Sequence, residues 1–294
     1  MAAPVRVDGF LLGAPKCATT WLAQALEGHP EVCMSNPKEP NELATHRGTF
    51  ARLPRDPDWT RYERCFQGPG FRADASVHAF ADPDAPRSWV RWYPNAKFIV
   101  CLRHPVERAV SHWNMIVNTA LDRRYRADWS DFPMAWKDVR LHAESLYGRS
   151  MARWLEHFDL SQFLLLDASD LQSNPQAAYT DVLNFLGLTT NRLDARRLQP
   201  VHEGRSKRVM TGPGRAAESF LPTPVRSKVR AALAPYKQRL PFVTRRASVD
   251  ACTPEHHAIC APQVMPDLLE LESLTGFPTE GWRRATAEAA GLAA

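Results

Sequence analysis

No stretch of this chain approaches the roughly 18 uninterrupted apolar residues that a membrane-spanning helix needs. The apolar run from Val7 to Gly13 also lacks the basic leader of a signal peptide. These absences predict a cytoplasmic protein with no membrane span. Cysteines are few, six in 294 residues, and none stands in a CxxC pair, which excludes a disulfide scaffold and the common zinc frameworks. Cys252 and Cys260 are the one pair close in sequence, and they are expected to be reduced thiols in a cytosolic setting. His256 and His257 have no acidic or cysteine partner at ligand spacing, so no metal is expected. Internal repeats and low-complexity tracts are absent too. The charge is only mildly one-sided, with a formal net charge of +5, and suits an anionic small ligand at least as well as nucleic acid.

What is present is an ordinary globular composition, 44% hydrophobic and 23% charged, in a chain long enough for one large α/β domain. Val7 to Leu12 is a short apolar run ending in Gly13, and apolar residues then recur at helical spacing from Thr20 to Leu26. Gly70 to Ser76 is a weaker strand candidate. Lys97 to Leu102 (KFIVCL) is a continuous apolar run of the length of a buried parallel strand, and Pro105 opens a helix whose face is Val106, Val110, Trp113 and Val117. A helix over Tyr147 to His157 leads to a strand over Gln162 to Asp167. Pro175 starts a further helix that buries Ala178, Val182, Leu183 and Leu186 and stops at Gly187. Strands alternating with helices predict a three-layer α/β fold, a central parallel sheet flanked by helices. Asn191 to Gly214 reads as an ordered or closing loop. Pro224 to Tyr236 and Gln263 to Leu274 read as helices joined by the proline-punctuated stretch between Pro241 and Pro262. Residues 1–294 are expected to form a single domain, with 219–294 a mainly helical extension packed on it.

Two segments carry the chemistry. The turn after the first strand reads Gly13-Ala14-Pro15-Lys16-Cys17-Ala18-Thr19-Thr20. At a strand-to-helix turn, backbone N–H groups and the positive helix end face an incoming anion, and Lys16, Thr19 and Thr20 add a charge and two hydroxyl donors. The spacing is not GxxxxGK[ST], because the lysine follows the glycine by three residues and no second glycine precedes it. The second segment runs from Leu102 to Trp113, LRHPVERAVSHW. Arg103 stands at the carboxyl end of its strand, the edge at which ligands bind in open α/β folds, and Ser111 shares a helix face with Arg108. Arg103 is equally a candidate for a structural ion pair.

Together these segments resemble the family of sulfotransferases that use 3′-phosphoadenosine 5′-phosphosulfate (PAPS), and most closely its heparan sulfate, or carbohydrate, branch and the bacterial relatives. GxPKxxTT is similar to the family's 5′-phosphosulfate loop and LRxPxxRxxSxW to its 3′-phosphate segment. The strand Phe163 to Asp167 with Asp170-Leu171, the run Phe185-Leu186-Gly187-Leu188, and Leu274-Thr275-Gly276-Phe277 with Trp282 also match family patterns. The resemblance implies that Pro15, Lys16, Cys17, Ala18, Thr19, Thr20 and Trp21 hold the 5′ end, and that Arg103 and Ser111 hold the 3′-phosphate. It implies PAPS as donor, 3′-phosphoadenosine 5′-phosphate (PAP) as product, and no metal. Ala18 stands where the family usually has glycine, which narrows the backbone's approach to the phosphate.

An acceptor hydroxyl needs a base, and Lys16 suits the charge on the leaving phosphate. Asn36 to Leu43 resembles the "PKEPxFF" stretch of the carbohydrate branch, which makes Glu39 the first candidate for the base. Glu42 and Leu43 replace its two aromatic residues. His78, in Asp74-Ala75-Ser76-Val77-His78, is the rival, because an imidazole titrates nearer neutrality. Ala75 removes a lysine that the branch places there, and Lys38 is a candidate replacement. Lys207 and Arg208 fall where the family has a basic segment over the 3′-phosphate. The acceptor is expected to be a glycan, lipid or other small molecule rather than nucleic acid. Trp59, Trp89, Trp92, Trp113, Trp129 and Trp136 are candidates either to stack on a sugar or to fill the core. The alternatives are a kinase that transfers phosphoryl to a small molecule, and a non-catalytic nucleotide-binding protein that meets RNA. The first lacks the second glycine and the second lacks interleaved aromatic and basic residues.

Overall fold

The computed structural model describes residues 4–45, 48–51, 56–190, 208–210, 244–246 and 250–292. Five strands, β1 (Gly9–Gly13), β2 (Val32–Met34), β3 (Phe71–Asp74), β4 (Lys97–Leu102) and β5 (Phe163–Asp167), form one sheet in the order β2-β3-β1-β4-β5. Every neighbouring pair is parallel. β1 is buried along its whole length and β4 from its second residue on, as expected of strands covered on both faces.

Phe10, Phe98 and Phe163 lie side by side on β1, β4 and β5, with ring centroids 5.9 and 4.9 Å apart. The helices α1 (Thr19–Glu27), α2 (Trp59–Glu63), α3 (Ala85–Trp92) and α4 (Pro105–Thr119) follow successive strands. Short helices α5 (Leu121–Arg124), α6 (Phe132–Lys137) and α7 (Val139–His142) lead through a 3-10 turn, Ala143–Ser145, into α8 (Tyr147–Leu155). Trp89 of α3 and Trp154 of α8 meet edge to face at 5.4 Å and close over the phenylalanine row. This aromatic block fills the core around the first half of the strands and leaves their carboxyl ends to the loops.

Beyond β5 come α9 (Ala168–Ser173) and α10 (Pro175–Leu186). The Asn174 side chain caps α10 by accepting from the Ala177 N–H, and Gly187, at φ 75°, ends it. Its inward face is Ala178, Val182, Leu183 and Leu186, as the periodicity predicts. On α4 the expected apolar face is only part of the inward surface. Val117 is 38% exposed, whereas Arg108 and His112 are wholly buried.

A further difference lies near the end of the chain. The proline-punctuated connection was expected to reach Pro262, yet α11 (Pro254–Thr275) begins eight residues earlier and carries Pro262 and Pro266 within it. Thr253 and His256 cap its start reciprocally, and Pro254 occupies the first turn, where no N–H partner is needed. The buried stripe Cys260, Val264, Leu268 and Leu271 packs against α8 and α4, so tertiary contact outweighs the hydrogen bonds that two exposed prolines remove. α12 (Glu280–Ala290) then folds back on α11. All six cysteines are free thiols. No helix among the described residues is long and apolar enough to cross a membrane. The helix expected over Pro224 to Tyr236, and residues 191–207 and 211–214 of the expected loop, lie outside the described residues.

Asp267 of α11 joins this C-terminal layer to the start of α8. Its carboxylate accepts from the Gly148 and Arg149 N–H groups at 2.9 Å each, at the start of α8. Only glycine fits at 148, since a Cβ there would stand 2.2 Å from the Asp267 carbonyl oxygen and 2.9 Å from the Leu271 nitrogen. Gly148→Ala is therefore expected to cost about 2–3 kcal/mol of stability, read as a lower denaturant midpoint. An unchanged midpoint would contradict this close approach.

Candidate active site at the carboxyl edge of the sheet

Four of the residues singled out in the sequence stand just beyond the carboxyl ends of adjacent parallel strands. The Gly13 to Thr20 turn follows β1, Glu39 follows β2, His78 follows β3 and Arg103 follows β4. After β1 the chain runs to one side of the sheet and after β4 to the other, so the crevice between these two neighbours is a topological switch point.

The β1 turn is shaped as an anion cradle. Lys16 and Ala18 both take left-handed backbone, φ 73° and 60°, which aims successive N–H groups to one side. No side chain caps the first turn of α1. Ala18, in place of glycine, holds a conformation that costs an ordinary residue about 1 kcal/mol. The Lys16 ammonium reaches toward α4, 3.9 Å from the Met115 sulfur. Thr20 is half-buried, whereas Thr19 and Trp21 are buried. Pro15 and Cys17 are also buried, so they can meet a ligand through backbone alone. Burial pushes the Cys17 thiol up to about 11, and it lies 3.8 Å from the Tyr147 hydroxyl. That hydroxyl donates to the Arg103 carbonyl at 2.9 Å and so ties the first turn to the second. Gly13 lets the end of β1 lie against the loop after β3, since a Cβ there would come 2.7 Å from the Cβ of Phe80.

Arg103 extends its guanidinium to Glu107, one turn along α4, at 2.8 and 3.0 Å. Both side chains are about two-fifths exposed, so the pair contributes about 1 kcal/mol or less and yields readily to a stronger anion. Ser111 is half-buried on α4, but Arg108 does not share its surroundings. Lys207 lies outside the described residues. Arg208 opens a short antiparallel pair, β6 (Arg208–Met210) with β7 (Thr244–Arg246), and β6 lies alongside α4.

On the far side of the cradle, Glu39 is half-buried and paired with Lys38 at 2.7 Å. Glu42, standing where the resemblance expects an aromatic residue, is a buried carboxylate held by Arg61 of α2 and by the Asp58 N–H at 2.8 Å. Ala75 is fully buried, and the Lys38 ammonium, half-buried, goes to Glu39. Asp74 is buried too. Burial lifts its pKa to about 6, although Tyr62 and Ser76 donate to it. Trp89, Trp129 and Trp136 are core residues, whereas Trp59, Trp92 and Trp113 are half-buried against that core.

His78 belongs to a buried polar cluster that the sequence did not reveal. Glu144, on the turn before α8, accepts from His78 Nδ1 at 2.6 Å through Oε1, and through Oε2 meets His112 Nδ1 at 2.9 Å and Arg108 at 3.2 Å. Arg108, with no exposed surface, also donates to Ser145 Oγ at 2.7 Å and to the Leu141 carbonyl at 2.8 Å. Thr49 Oγ1 lies 2.6 Å from His112 Nε2. Burial opposes ionisation of Glu144, but the two imidazoles outweigh it and hold the carboxyl well below its usual range. Burial likewise depresses His78, and the Glu144 carboxylate more than restores it, so His78 titrates above an ordinary histidine. His112 differs because it is wholly buried and Arg108 stands beside it, and its pKa falls to about 4. Glu144 lies in the stretch 122–144, where no motif marks it. Its only sequence signal is a lone acid among Leu141, Ala143 and Leu146.

A sequence model of the family described as "Sulfotransferase domain" matches residues 6–227. The human heparan sulfate glucosamine 3-O-sulfotransferase 6 is 31% identical over 190 residues, 62% of this chain and 52% of that protein. The human bifunctional heparan sulfate N-deacetylase/N-sulfotransferase 2 is 26% identical over 199 residues, 63% of this chain and 22% of that protein. The chain thus spans about half or less of the length of these curated relatives. A solved sulfotransferase from Alicyclobacillus acidocaldarius shares the fold with a TM-score of 0.58 and 19% identity, covering 95% of this chain and 100% of its own.

The buried cluster sets a pH dependence. With His112 held near pKa 4 against 6.5 for the unfolded chain, the unfolded state binds the extra proton between those values, so this residue's contribution to stability falls as pH drops through that window. The loss amounts to about 3 kcal/mol by pH 4. The stability gap between wild type and His112→Gln should therefore narrow from pH 6.5 to 4 in denaturant titrations. A constant gap would show that His112 is not buried neutral.

Proposed function

Because the chain belongs to the sulfotransferase domain family, we propose that it moves a sulfuryl group from PAPS to an acceptor hydroxyl on a glycan or another small molecule. The observation that supports this most is the pairing of two anion-holding segments, the Lys16 turn and the Arg103 segment, at the carboxyl ends of neighbouring strands β1 and β4. A nucleotide phosphorylated at both ends matches that spacing of donors better than a triphosphate, whose P-loop glycine and lysine pattern is missing. The kinase alternative is not favoured by the family match.

Bound PAPS would supply the sulfuryl group: the acceptor oxygen bonds to sulfur as the bond from sulfur to the 5′-phosphate oxygen breaks, and the electron pair leaves on PAP. The cradle's N–H groups and Thr20 would orient the 5′ end, and Lys16 would oppose the charge that collects on the leaving oxygen. Arg103 and Ser111, with Lys207 or Arg208, would take the 3′-phosphate. We assign the acceptor proton to His78 Nε2. Glu39 is already engaged by Lys38, and it lies close enough to His78 to help raise the imidazole's pKa. Free thiols throughout suit the reducing cytoplasm. The packing of α11 on α8 and α4 supports reading the chain as one catalytic unit with a helical C-terminal extension.

Calorimetric titration with PAP, ADP and ATP tests the donor assignment. PAP should bind at least about 10-fold more tightly than either, and Lys16→Ala should weaken it by about 1–3 kcal/mol. Equal binding of all three would sink the assignment. For the base, His78→Gln should lower PAP release from PAPS in the presence of glycan acceptors by about 10²-fold or more, with PAP affinity kept, while Glu39→Gln costs less. The reverse ranking would move the base to Glu39.

A further inference from the structure

We propose that Glu144 is the positioning residue of the proton-accepting group: its carboxylate holds Nδ1–H of His78 and so fixes Nε2 as the lone pair offered to the acceptor. The inference rests on reading His78 as the base. Two imidazoles flank Glu144, and only one can serve. His112 has no exposed surface, and its Nε2 is occupied by the Thr49 hydroxyl at 2.6 Å. The His78 side chain keeps 11% of its surface exposed. Its Nε2 faces Gly48, where a Cβ would stand 3.8 Å away and where φ of +99° favours glycine. That side of the ring is therefore bordered by a residue with no side chain to fill it.

Glu144 can orient His78 because it is itself fixed. Arg108 approaches Oε2 from behind and is locked in turn by Ser145 and by the Leu141 carbonyl. Among the described residues, the other charged and titratable groups that act on His78 are Glu39 and His112, the latter with its ring centroid 6.5 Å away. When the acceptor proton reaches Nε2, the imidazolium keeps its Nδ1–H on the carboxylate, so the new positive charge forms against a fixed negative one. Arg108 offsets the carboxylate before the proton arrives. Burial, and then the two cations beside it, keep His112 neutral: a third positive charge in the same buried cluster has no counterpart.

The test uses the full chain labelled with 15N-histidine and long-range 1H–15N spectra across a pH series. The cross-peaks of His78 are identified by their loss in His78→Gln. Neutral His78 is expected as the Nδ1–H tautomer, and in Glu144→Gln its titration midpoint should fall by about one pH unit. The acid limb of the kcat profile for PAP release should move with it, with the KM for PAPS unchanged. Glu144→Asp, which keeps the charge but shortens the reach, should restore the midpoint in part. An Nε2–H tautomer in the wild-type chain overturns the proposal, and this measurement does not depend on a Glu144 variant that folds. A midpoint unmoved in folded Glu144→Gln overturns it as well. These spectra need neither donor nor acceptor, so the two failures are distinct: a chain that does not bind PAP overturns the transfer reading, whereas a chain that binds PAP but shows the Nε2–H tautomer overturns this inference alone.

Discussion

The register of the parallel sheet is the constraint on which the site depends. In a parallel sheet the loops at one edge are as well placed relative to one another as the strands that carry them, and a slip of one residue would turn every side chain to the other face. Phe10, Phe98 and Phe163 lie in one row across β1, β4 and β5, and Trp89 and Trp154 close over that row. Large rings packed at native density leave little freedom to shift. The Ala14 N–H also bonds to the Cys101 carbonyl at 2.7 Å, which carries the pairing of β1 and β4 past the last strand residue. The cradle and the Arg103 segment thereby sit at the ends of two strands that cannot move independently.

A second layer of order comes from buried charge. Arg108, Glu144, His112 and His78 draw together α4, the turn before α8, and the loop after β3. Such clusters add little net stability when complete, but removing one partner strands an uncompensated charge at a cost of about 3–5 kcal/mol. Their worth lies in specificity of arrangement. The Tyr147 bond to the Arg103 carbonyl adds a neutral strut between α8 and the end of β4. Site geometry is thus held from below by aromatic packing and from the side by polar bonds.

Much of this could be read from the sequence, for reasons that differ by element. The run KFIVCL coincides with β4 because a strand buried on both faces needs continuous apolar residues. Pro175 and Gly187 mark the two ends of α10 because helix termini need particular residues. Lys16 and Arg103 could be placed from sequence because each follows an apolar run that reads as a strand, whereas Glu39 and His78 were candidates through the family resemblance and the short strand before Glu39 carried no signal of its own. Glu144 was not legible, since its partners lie 66, 36 and 32 residues away and only the fold joins them. The start of α11 was missed because Pro262 argues locally against a helix running through it, and its cost is met by packing that no local pattern records. The engagement of Arg103 with Glu107 is the four-residue spacing of an exposed helix pair, visible in sequence but indistinguishable there from a ligand-binding arginine.

The bond between Asp267 and the start of α8 has a consequence for where this protein may be cut. The family match ends at residue 227, so a trimmed catalytic fragment would naturally stop near there. Such a fragment would lose the carboxylate that caps α8, the same helix whose first residue, Tyr147, holds the Arg103 carbonyl. The end of the family match and the boundary of mechanical completeness therefore fall in different places. Fragments meant for crystallisation or fusion need to run through α11.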